Sequence, residues 1–339
     1  MGKTVAVLFG GPSNEHEISC LSAKTVMSAL QHAGYQIYPV AVSRDLTWRH
    51  APAALTELAA VTDRLPSTND LSGQLIDQLD VALAFPVLHG AWGEDGGVQQ
   101  LLTDMGIAFV GSGVAASKLA MDKAATKDLL HKNGVRVVTG VLVTQSNWES
   151  QLTQLQQLGE SLFVKPCHGG SSLGVTHVTS VHQLAPALEQ VFKLGDDAIV
   201  EVAVINPREI EIGVLQHPSG ELEVSVCGEI KLRSGFDFYD YQAKYLADGA
   251  ELIVPADVSA QTYQELAAAA KKAFSVLGCA GLARVDFLID VNGVSYLNEV
   301  NTMPGFTQIS MYPKMFAASG IELPQLVDKL VQHGIAAKR

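Results

Sequence analysis

The order of elements in the first fifty residues (apolar strand, glycine turn, helix, second strand) limits the fold more than any other feature. Residues 4–9 (TVAVLF) are a continuous apolar run with β-branched members, and two glycines follow it. Residues 17–31 carry apolar side chains at roughly helical spacing, and the next apolar run, YQIYPVAVS, follows Gly34. This βαβ unit predicts a parallel sheet whose ligand-binding edge is formed by the carboxyl ends of its strands.

Length and charge exclude several classes of protein. With 339 residues, 47% of them hydrophobic, the chain is expected to form two or three domains. The formal charge of −12, without a run of lysines or arginines, argues against nucleic acid and anionic membranes as partners. No segment has the pattern of a secretory signal or a membrane span, and the four cysteines are far apart. We therefore expect a soluble, cytoplasmic protein with reduced thiols.

The distribution of predicted elements divides the chain into three parts of α/β and α+β architecture. Residues 1–120 form the N-terminal α/β domain with its parallel sheet. Residues 121–210 alternate helices and strands and are expected to form a central lobe. Residues 211–339 contain further strands, a long helix and the apolar-poor segment 232–250, and are expected to form a C-terminal lobe.

A lysine and a glycine-serine loop follow a predicted strand in VKPCHGGSSLGV, residues 164–175. Small residues allow backbone N–H groups to approach an anion, and Lys165 supplies a charge for phosphate oxygens. The sequence differs from a P-loop because the lysine precedes the glycines. A glycine-rich hairpin alone is more often a simple turn, so the phosphate-binding interpretation depends on Lys165.

Two predicted strands near the C-terminus carry oxygen ligands in GLARVDFLIDVNGVSYLNEVNTMPGFTQIS, residues 281–310. Their hairpin, which turns at residues 290–293, places Asp286 opposite residues near Glu299. Glu299 and Asn301 point to one face of their strand, and such hard oxygen ligands suit Mg²⁺. The alternative is a solvated strand edge, but Arg284 shares a face with Asp286 inside an otherwise apolar run.

Polar residues also follow the strands of the N-terminal domain. Glu15 and Glu17 come directly after the first strand and its glycines, and His89 ends a later strand. His89 is a candidate for the pocket, although a structural histidine is nearly as plausible. We interpret Glu94 and Asp95, which come shortly afterwards, as helix caps.

Taken together and in this order, several motifs of the chain closely resemble those of the D-alanine–D-alanine ligases of the ATP-grasp superfamily. They span almost the whole sequence and comprise FGGPSNEHEIS, HGAWGEDG, GSGVAASKLAMDK, VKPCHGGSSLGV, REIEIGVL, FDFYDYQAKY, RVDF and LNEVNTMPGFTQIS. The resemblance implies a three-domain ATP-grasp fold with ATP between the central and C-terminal lobes. It also implies phosphorylation of one D-alanine, attack on the acyl phosphate by the amine of a second, and a dipeptide for peptidoglycan.

The resemblance assigns nucleotide and metal ligands to residues that match the family's motifs. The residues implied to contact ATP are Lys123, Lys165, Ser172, Glu201, Val204, Glu209 and Lys244, with Glu209 on the ribose. Two Mg²⁺ ions, or Mn²⁺, would be held by Asp286, Glu299 and Asn301. The family also implies a homodimer.

The resemblance also assigns the residues that contact D-alanine. Glu15 would bind the ammonium group of the first D-alanine beside His89, whereas Glu17 is expected to complete a capping box with Asn14. The oxyanion would be stabilised by Arg284 and the backbone N–H of Gly305. Segment 232–250 would be a closing ω-loop that links Ser171, Tyr245 and Glu15, with the second D-alanine near Tyr245 and Ser310.

Three other functions would each account for part of the sequence. A D-alanine–D-lactate or D-alanine–D-serine ligase would differ in one or two pocket residues, and Tyr245 together with a loop that lacks histidine favours D-alanine. A dehydrogenase is disfavoured because the GxGxxG spacing and an acidic residue near position 42 are missing. A non-catalytic nucleotide-binding protein would be expected to have lost some of the five residues Lys165, Arg284, Asp286, Glu299 and Asn301, and all five are present.

Overall fold

Three β-sheets organise the computed structural model, which describes residues 3–51, 69–70, 81–233 and 249–337. Each sheet belongs to a different part of the chain, and helices cover its faces. No helix in these ranges is long and apolar enough to cross a membrane. The predicted ω-loop lies largely outside the described residues, and Lys244 and Tyr245 lie outside them as well.

The N-terminal sheet has the strand order β4-β3-β2-β1-β5. Its strands are β1 (Thr4–Gly10), β2 (Gln36–Val42), β3 (Trp48–His50), β4 (Asn69–Asp70) and β5 (Leu83–Pro86). β1 pairs in parallel with β2 and β5, which confirms the predicted parallel core of this sheet. β3 and β4 add an antiparallel edge that the sequence did not predict. Because β1 is buried from its second residue onward, its sequence is almost continuously apolar.

Helices on both faces complete the N-terminal domain. α1 (His16–His32) is the crossover between β1 and β2, and α2 (Gly97–Asp104) follows β5 on the opposite face. The C-terminal helix of the chain also packs here, against α1 and β5. Tyr35 donates a hydrogen bond to Asp328 of that helix over 2.6 Å. The end of the chain is therefore fixed to the domain in which it begins.

The central lobe is a four-stranded antiparallel sheet covered by helices. Its elements are α4 (Lys123–Lys132), β6 (Gly140–Val143), α5 (Trp148–Gln157), β7 (Leu162–Pro166), β8 (Thr176–Val178), α6 (Leu184–Lys193) and β9 (Ala198–Val202), with α3 (Val114–Met121) leading into α4 from the N-terminal domain and a 3-10 turn (Val181–Gln183) before α6. The strand order is β6-β9-β7-β8. α5 and α6 cover one face of this sheet and form an apolar core with it. Lys165 on β7 and Glu201 on β9 alternate with these core residues and therefore belong to the other face, which Lys127 of α4 reaches.

The C-terminal lobe is a five-stranded antiparallel sheet with the order β12-β11-β10-β13-β14. Its elements are β10 (Arg208–Gln216), β11 (Leu222–Leu232), β12 (Ala250–Ile253), α7 (Ala260–Val276), β13 (Leu282–Ile289), β14 (Ser295–Asn301), α8 (Met311–Ala318) and α9 (Leu323–Ala337). α7 packs against Ile210, Ile212 and Val214 on one face of β10. On the other face α8 approaches the backbone so closely that a Cβ on Gly213 would lie 2.7 Å from the Phe316 ring. The remainder of that second face carries the polar residues of the site.

Candidate active site

Two glycines determine how the chain leaves β1 and reaches Glu15. Gly10 has a φ of +96°, and a Cβ at this position would lie 2.3 Å from the carbonyl oxygen of Val42. Gly11 donates its N–H to the same oxygen over 2.7 Å. The chain therefore turns sharply at the carboxyl edge of the sheet, and Glu15 becomes the N-cap residue of α1.

The predicted capping box between Asn14 and Glu17 is wrong. α1 begins at His16 without a side-chain cap, and the Oγ of Ser13 accepts the N–H of Glu15 instead. Glu17 forms an ion pair with Arg44 over 2.9 Å. The S/T/N-x-x-E spacing predicts a cap only if the chain turns at its first member, and the two glycines shift that turn by one residue.

One cavity lies where the first turn of α1, the glycine-serine loop and the end of β14 meet. Seven residues that the sequence had assigned to the site line it together with Gly305, and they are Glu15, His89, Lys123, Ser171, Arg284, Glu299 and Asn301. These residues come from all three predicted parts of the chain. The topology therefore collects at one place side chains that are up to 290 positions apart in sequence.

The glycine-serine loop is linked to the N-terminal domain through Ser171. Its hydroxyl donates a hydrogen bond to the Oε1 of Glu15 over 2.6 Å. Ser171 and Ser172 both have φ values near +55°, a left-handed conformation that non-glycine residues rarely adopt. The Nζ of Lys123 donates to the carbonyl of Gly169 over 2.5 Å. The loop is thereby held over the cavity from two sides.

His89 and Glu94 form the polar wall next to Glu15. Burial lowers the pKa of His89, which favours the neutral imidazole, and its Nε2 lies 3.2 Å from the hydroxyl of Ser22. Glu94 accepts the N–H of Gly90 over 2.7 Å. Burial first, and then the charge of Glu15, raise the pKa of Glu94 to about 8. Glu94 therefore lines the pocket and also binds the backbone of the loop at Gly90. The prediction that it acts as a helix cap did not include its place in the pocket.

Substitution of Glu94 by glutamine is expected to change how stability depends on pH. The carboxyl has a raised pKa of about 8 in the folded protein against 4.5 ordinarily, so the folded state holds a proton that the unfolded state releases between these values. The free energy of unfolding contributed by this group is thus largest below about pH 4.5 and is lost as the pH rises through about 8. Urea denaturation should show that the free energy of unfolding decreases less between pH 6 and pH 8.5 in E94Q than in the unsubstituted protein. An equal decrease in both would contradict the raised pKa.

Ser22 lies behind this wall, in contact with His89, and Asp95 caps the helix that follows it. Ser22 is fully buried on α1, and its hydroxyl also accepts the N–H of Phe306 over 3.3 Å. It therefore connects His89 to the loop that carries Gly305. Asp95 accepts the N–H groups of Trp92 and Gly97, which confirms its role as a cap. The sequence did not identify Ser22 as a site residue. Its only signal was a polar residue on the apolar face of α1, and helical periodicity does not predict what such a residue will contact.

Arg284 lies between two acidic residues, Asp286 and Glu211. Its Nε and Nη2 donate to the two carboxylate oxygens of Asp286, both over 2.7 Å, and Nε lies 3.2 Å from the Oε2 of Glu211. Burial alone would lower the pKa of Arg284, but the charges of Asp286 and Glu211 outweigh it and raise the pKa well above its ordinary value. The guanidinium is therefore permanently charged and held rigidly in a planar fork.

The predicted set of metal ligands is brought together by the hairpin of β13 and β14. Asp286 pairs with Glu299 and Arg284 with Asn301 in the register of the two strands. The amide nitrogen of Asn301 donates to Asp286 over 2.9 Å, so the two side chains lie together on one face of the hairpin. Two carboxylates and an amide oxygen on adjacent strands are donors that fit Mg²⁺. In this arrangement Arg284 shares the carboxylate of Asp286 with any bound cation.

Two lysines form ion pairs with a single buried glutamate beside the cavity, and a third lysine lies nearby. Lys165 lies 2.7 Å from the Oε2 of Glu201, and Lys127 forms an ion pair with the Oε1. Burial would raise the pKa of Glu201, but the two lysines lower it to about 2. Lys123, whose pKa burial lowers, lines the cavity itself. The sequence had singled out Lys123, Lys165 and Glu201 but not Lys127.

Four other predicted residues do not line the cavity. Ser310 is the N-cap of α8, and its hydroxyl accepts the N–H of Thr307 over 2.9 Å beside Gly305. Ser172 lies in the glycine-serine loop, and Val204 lies between β9 and β10. Glu209 precedes Glu211 by two residues on β10, so both point to the face that carries Arg284.

Comparison with known proteins decides the family. The family model described as D-ala D-ala ligase N-terminus matches residues 4–112, and the model described as D-ala D-ala ligase C-terminus matches residues 129–332. The chain belongs to the D-alanine–D-alanine ligase family. The resemblance drawn from the motifs is therefore confirmed.

Individual members of the ligase family are similar in sequence to this chain over nearly its whole length. The D-alanine--D-alanine ligase of Mycolicibacterium smegmatis is 43% identical, with 99% of this chain and 96% of the relative covered. That of Mycobacterium tuberculosis strain H37Rv is 41% identical, with 98% and 95% covered.

Solved structures of the ligase family have the same fold. The D-alanine-D-alanine ligase from Coxiella burnetii superposes with a TM-score of 0.86 at 32% identity, covering 99% of this chain and 95% of its own. The VanG D-Ala:D-Ser ligase from Enterococcus faecalis gives a TM-score of 0.83 at 32% identity, covering 98% and 100%. The predicted ATP-grasp fold is thereby confirmed.

Proposed function

We propose that this protein joins two molecules of D-alanine to D-alanyl-D-alanine, with conversion of ATP to ADP and phosphate, for peptidoglycan synthesis. The observation that carries the proposal is the single cavity in which Glu15, Arg284 and Gly305 face the phosphate-type loop with its lysines. The lining of this cavity provides an anion, Glu15, together with the fixed cation Arg284, Lys123 and the backbone N–H of Gly305. A zwitterionic amino acid whose carboxylate is to be activated needs both.

Binding of the first D-alanine follows from the charges at the N-terminal end of the cavity. The carboxylate of Glu15 is the group that would receive the substrate's ammonium, and Ser171 holds one of its oxygens in place. His89 is neutral and Glu94 has a pKa of about 8, so neither adds a full charge at pH 7. Glu15 therefore remains the dominant anion at this end.

Transfer of the γ-phosphoryl group to the carboxylate of D-alanine depends on cations. Lys123 and Lys165, with Lys244 from the predicted ω-loop, would neutralise the charge that spreads over the transferring group. Mg²⁺ held by Asp286, Glu299 and Asn301 would supply further neutralisation of the phosphate oxygens when bound. The protein's part in this step is to position the reactants and to exclude water from an acyl phosphate.

Attack by the amine of the second D-alanine completes the reaction. The amine forms the new C–N bond to the acyl carbon, the C–O bond to phosphate breaks, and the amine loses a proton. The oxyanion that develops at the carbonyl would accept hydrogen bonds from Arg284 and the backbone N–H of Gly305. Since Arg284 is already fixed by Asp286 and Glu211, it needs no reorganisation as the charge appears.

The ligase assignment predicts release of phosphate that depends on D-alanine. Purified protein with ATP and Mg²⁺ should release phosphate with D-alanine alone and form a product with the mass of D-alanyl-D-alanine, whereas L-alanine should give none. Parallel reactions with D-alanine plus D-lactate or plus D-serine test the acceptor, because a structural neighbour is a D-Ala:D-Ser ligase. A mixed product in place of the dipeptide would revise the acceptor. No phosphate with any D-amino acid, in protein that still binds ADP, would overturn the function.

From membership of the family we also infer a homodimer in the cytoplasm. Light scattering on the purified protein would test the dimer, with a mass near twice 36.0 kDa as the expected result.

A further inference from the structure

Lys127 is a fully paired, buried lysine that the reaction proposed above does not use. It lies one helical turn after Lys123 on α4, so the two side chains leave the same face of the helix. Lys123 lines the cavity, whereas Lys127 is only 5% exposed and reaches Glu201 on β9, which is 1% exposed. A lysine without its charge partner is almost never buried so deeply, so this pair is a specific feature of the lobe.

Glu201 connects Lys127 to the nucleotide side of the site. One carboxylate oxygen is bound by Lys127, and the other lies 2.7 Å from the Nζ of Lys165. Lys165 is the lysine that precedes the glycine-serine loop, and its ammonium also lies 5.5 Å from the centre of the Phe163 ring. The position of Lys165 is therefore set by a carboxylate that Lys127 holds from behind.

The sum of charges shows what Lys127 changes. With Lys127 present, the cluster of two lysines and one glutamate has a net charge of +1. The charge of Lys165 is then only partly neutralised by Glu201, and it can still attract phosphate oxygens. Without Lys127, the remaining pair is neutral and the whole attraction of Glu201 acts on Lys165. Without Lys127 the carboxylate of Glu201 can also rotate. Among the described side chains, Lys127 is the one that binds its Oε1.

We propose that Lys127 is a positioning residue for the nucleotide: it fixes and half-neutralises Glu201, so that Glu201 aligns Lys165 with the phosphates of ATP without cancelling its charge. This role rests on the proposed function only in that the phosphates are those of ATP. Lys127 itself does not touch the substrates.

The test is nucleotide binding by K127M, in which the side chain keeps its length and apolar stem but loses its charge. Isothermal titration with ADP and Mg²⁺ should show affinity at least tenfold weaker than in the unsubstituted protein. In kinetics the KM for ATP should rise by a similar factor while the KM for D-alanine stays within twofold. K132M is the matched control, since Lys132 is on the same helix, is 67% exposed and pairs with Asp128 at the surface. It should leave both constants unchanged.

A double-mutant cycle separates positioning from general damage to the fold. In an E201Q background the K127M substitution should change ADP affinity less than twofold, because the carboxylate on which it acts is gone. Equal losses in both backgrounds, or equal rises in the KM for ATP and for D-alanine, would overturn the proposal. If K127M is not recovered folded, K127Q, which keeps an N–H donor without the charge, is measured against the same limits. Unsubstituted protein that binds ADP but does not release phosphate with D-alanine would contradict the ligase function and leave this test intact.

Discussion

Replacement of Arg284 by lysine is expected to lower kcat by about 10²–10³-fold, or about 3–4 kcal/mol of transition-state stabilisation, the range found when one oxyanion donor is removed. Lysine keeps the positive charge but not the planar fork that bonds both oxygens of Asp286 over 2.7 Å. An ammonium cannot hold Asp286 and point a second donor at the reacting carbonyl in the same fixed geometry. The KM for ATP should rise by a smaller factor than kcat falls, because Arg284 can influence the nucleotide only through Asp286, a proposed Mg²⁺ ligand, and takes no part in the ion pair of Lys165. Steady-state kinetics with ATP and D-alanine varied separately would measure both quantities.

Lysine is a better probe than alanine at this position because of what surrounds the guanidinium. Glu211 is 4% exposed, and alanine would leave it and Asp286 without their principal cation, at a cost of about 3–5 kcal/mol in stability. Loss of activity in R284A could therefore result from unfolding of the protein and not from loss of the oxyanion donor. R284K retains a cation between the two carboxylates, so its thermal midpoint can be compared directly with that of the unsubstituted protein.

Arg208 offers a matched control. It forms the same kind of fork with a carboxylate, Nε and Nη2 donating to Glu229 over 2.8 and 2.7 Å, but its side chain is 43% exposed. R208K should leave kcat within twofold. If R284K also keeps kcat within threefold, Arg284 is not the oxyanion donor, and its role is confined to holding Asp286.

Most of the fold could be predicted from the sequence because its signals are local. The alternation of strands and helices in the first half of the chain predicts the parallel core of the N-terminal sheet. The hairpin turn at residues 290–293 predicts the register that places Asp286 opposite Glu299. These features depend on neighbours in sequence or on a two-stranded pairing, so periodicity and turn chemistry are sufficient to find them.

Features that depend on distant packing could not be predicted. Nothing in the run from Lys123 to Lys132 distinguishes the lysine that lines the cavity from the buried one that pairs with Glu201, because that distinction depends on how α4 lies on the central sheet. The capping box failed for a related reason, since its members were present but the glycine turn placed the helix start elsewhere. The sequence likewise identified Glu94 as an acid in a turn, and only the fold shows that Glu15 faces it.

Substitution of Glu15 by glutamine is expected to lower kcat/KM for D-alanine by about 10²-fold, or ~2.7 kcal/mol, which is within the range for removing one partner of a buried charge pair. Glutamine is isosteric and still accepts the hydrogen bond that Ser171 donates, so the link to the glycine-serine loop is retained. What it loses is the negative charge opposite the substrate's ammonium. Affinity for ADP should be unchanged, because Glu15 takes no part in the ion pairs that join Glu201 to Lys127 and Lys165.

Glu17 provides the comparison that makes this result specific. It lies two residues further along α1 and pairs with Arg44, whose side chain is 48% exposed, so E17Q removes the same charge from the same helix without facing the cavity. E17Q should change kcat/KM less than twofold. E15Q should in addition bring the pKa of Glu94 down from about 8, because the charge of Glu15 is one of the causes that raise it, whereas E17Q should not. Equal effects of the two substitutions would mean that charge near the start of α1, and not contact with the ammonium group, determines the loss.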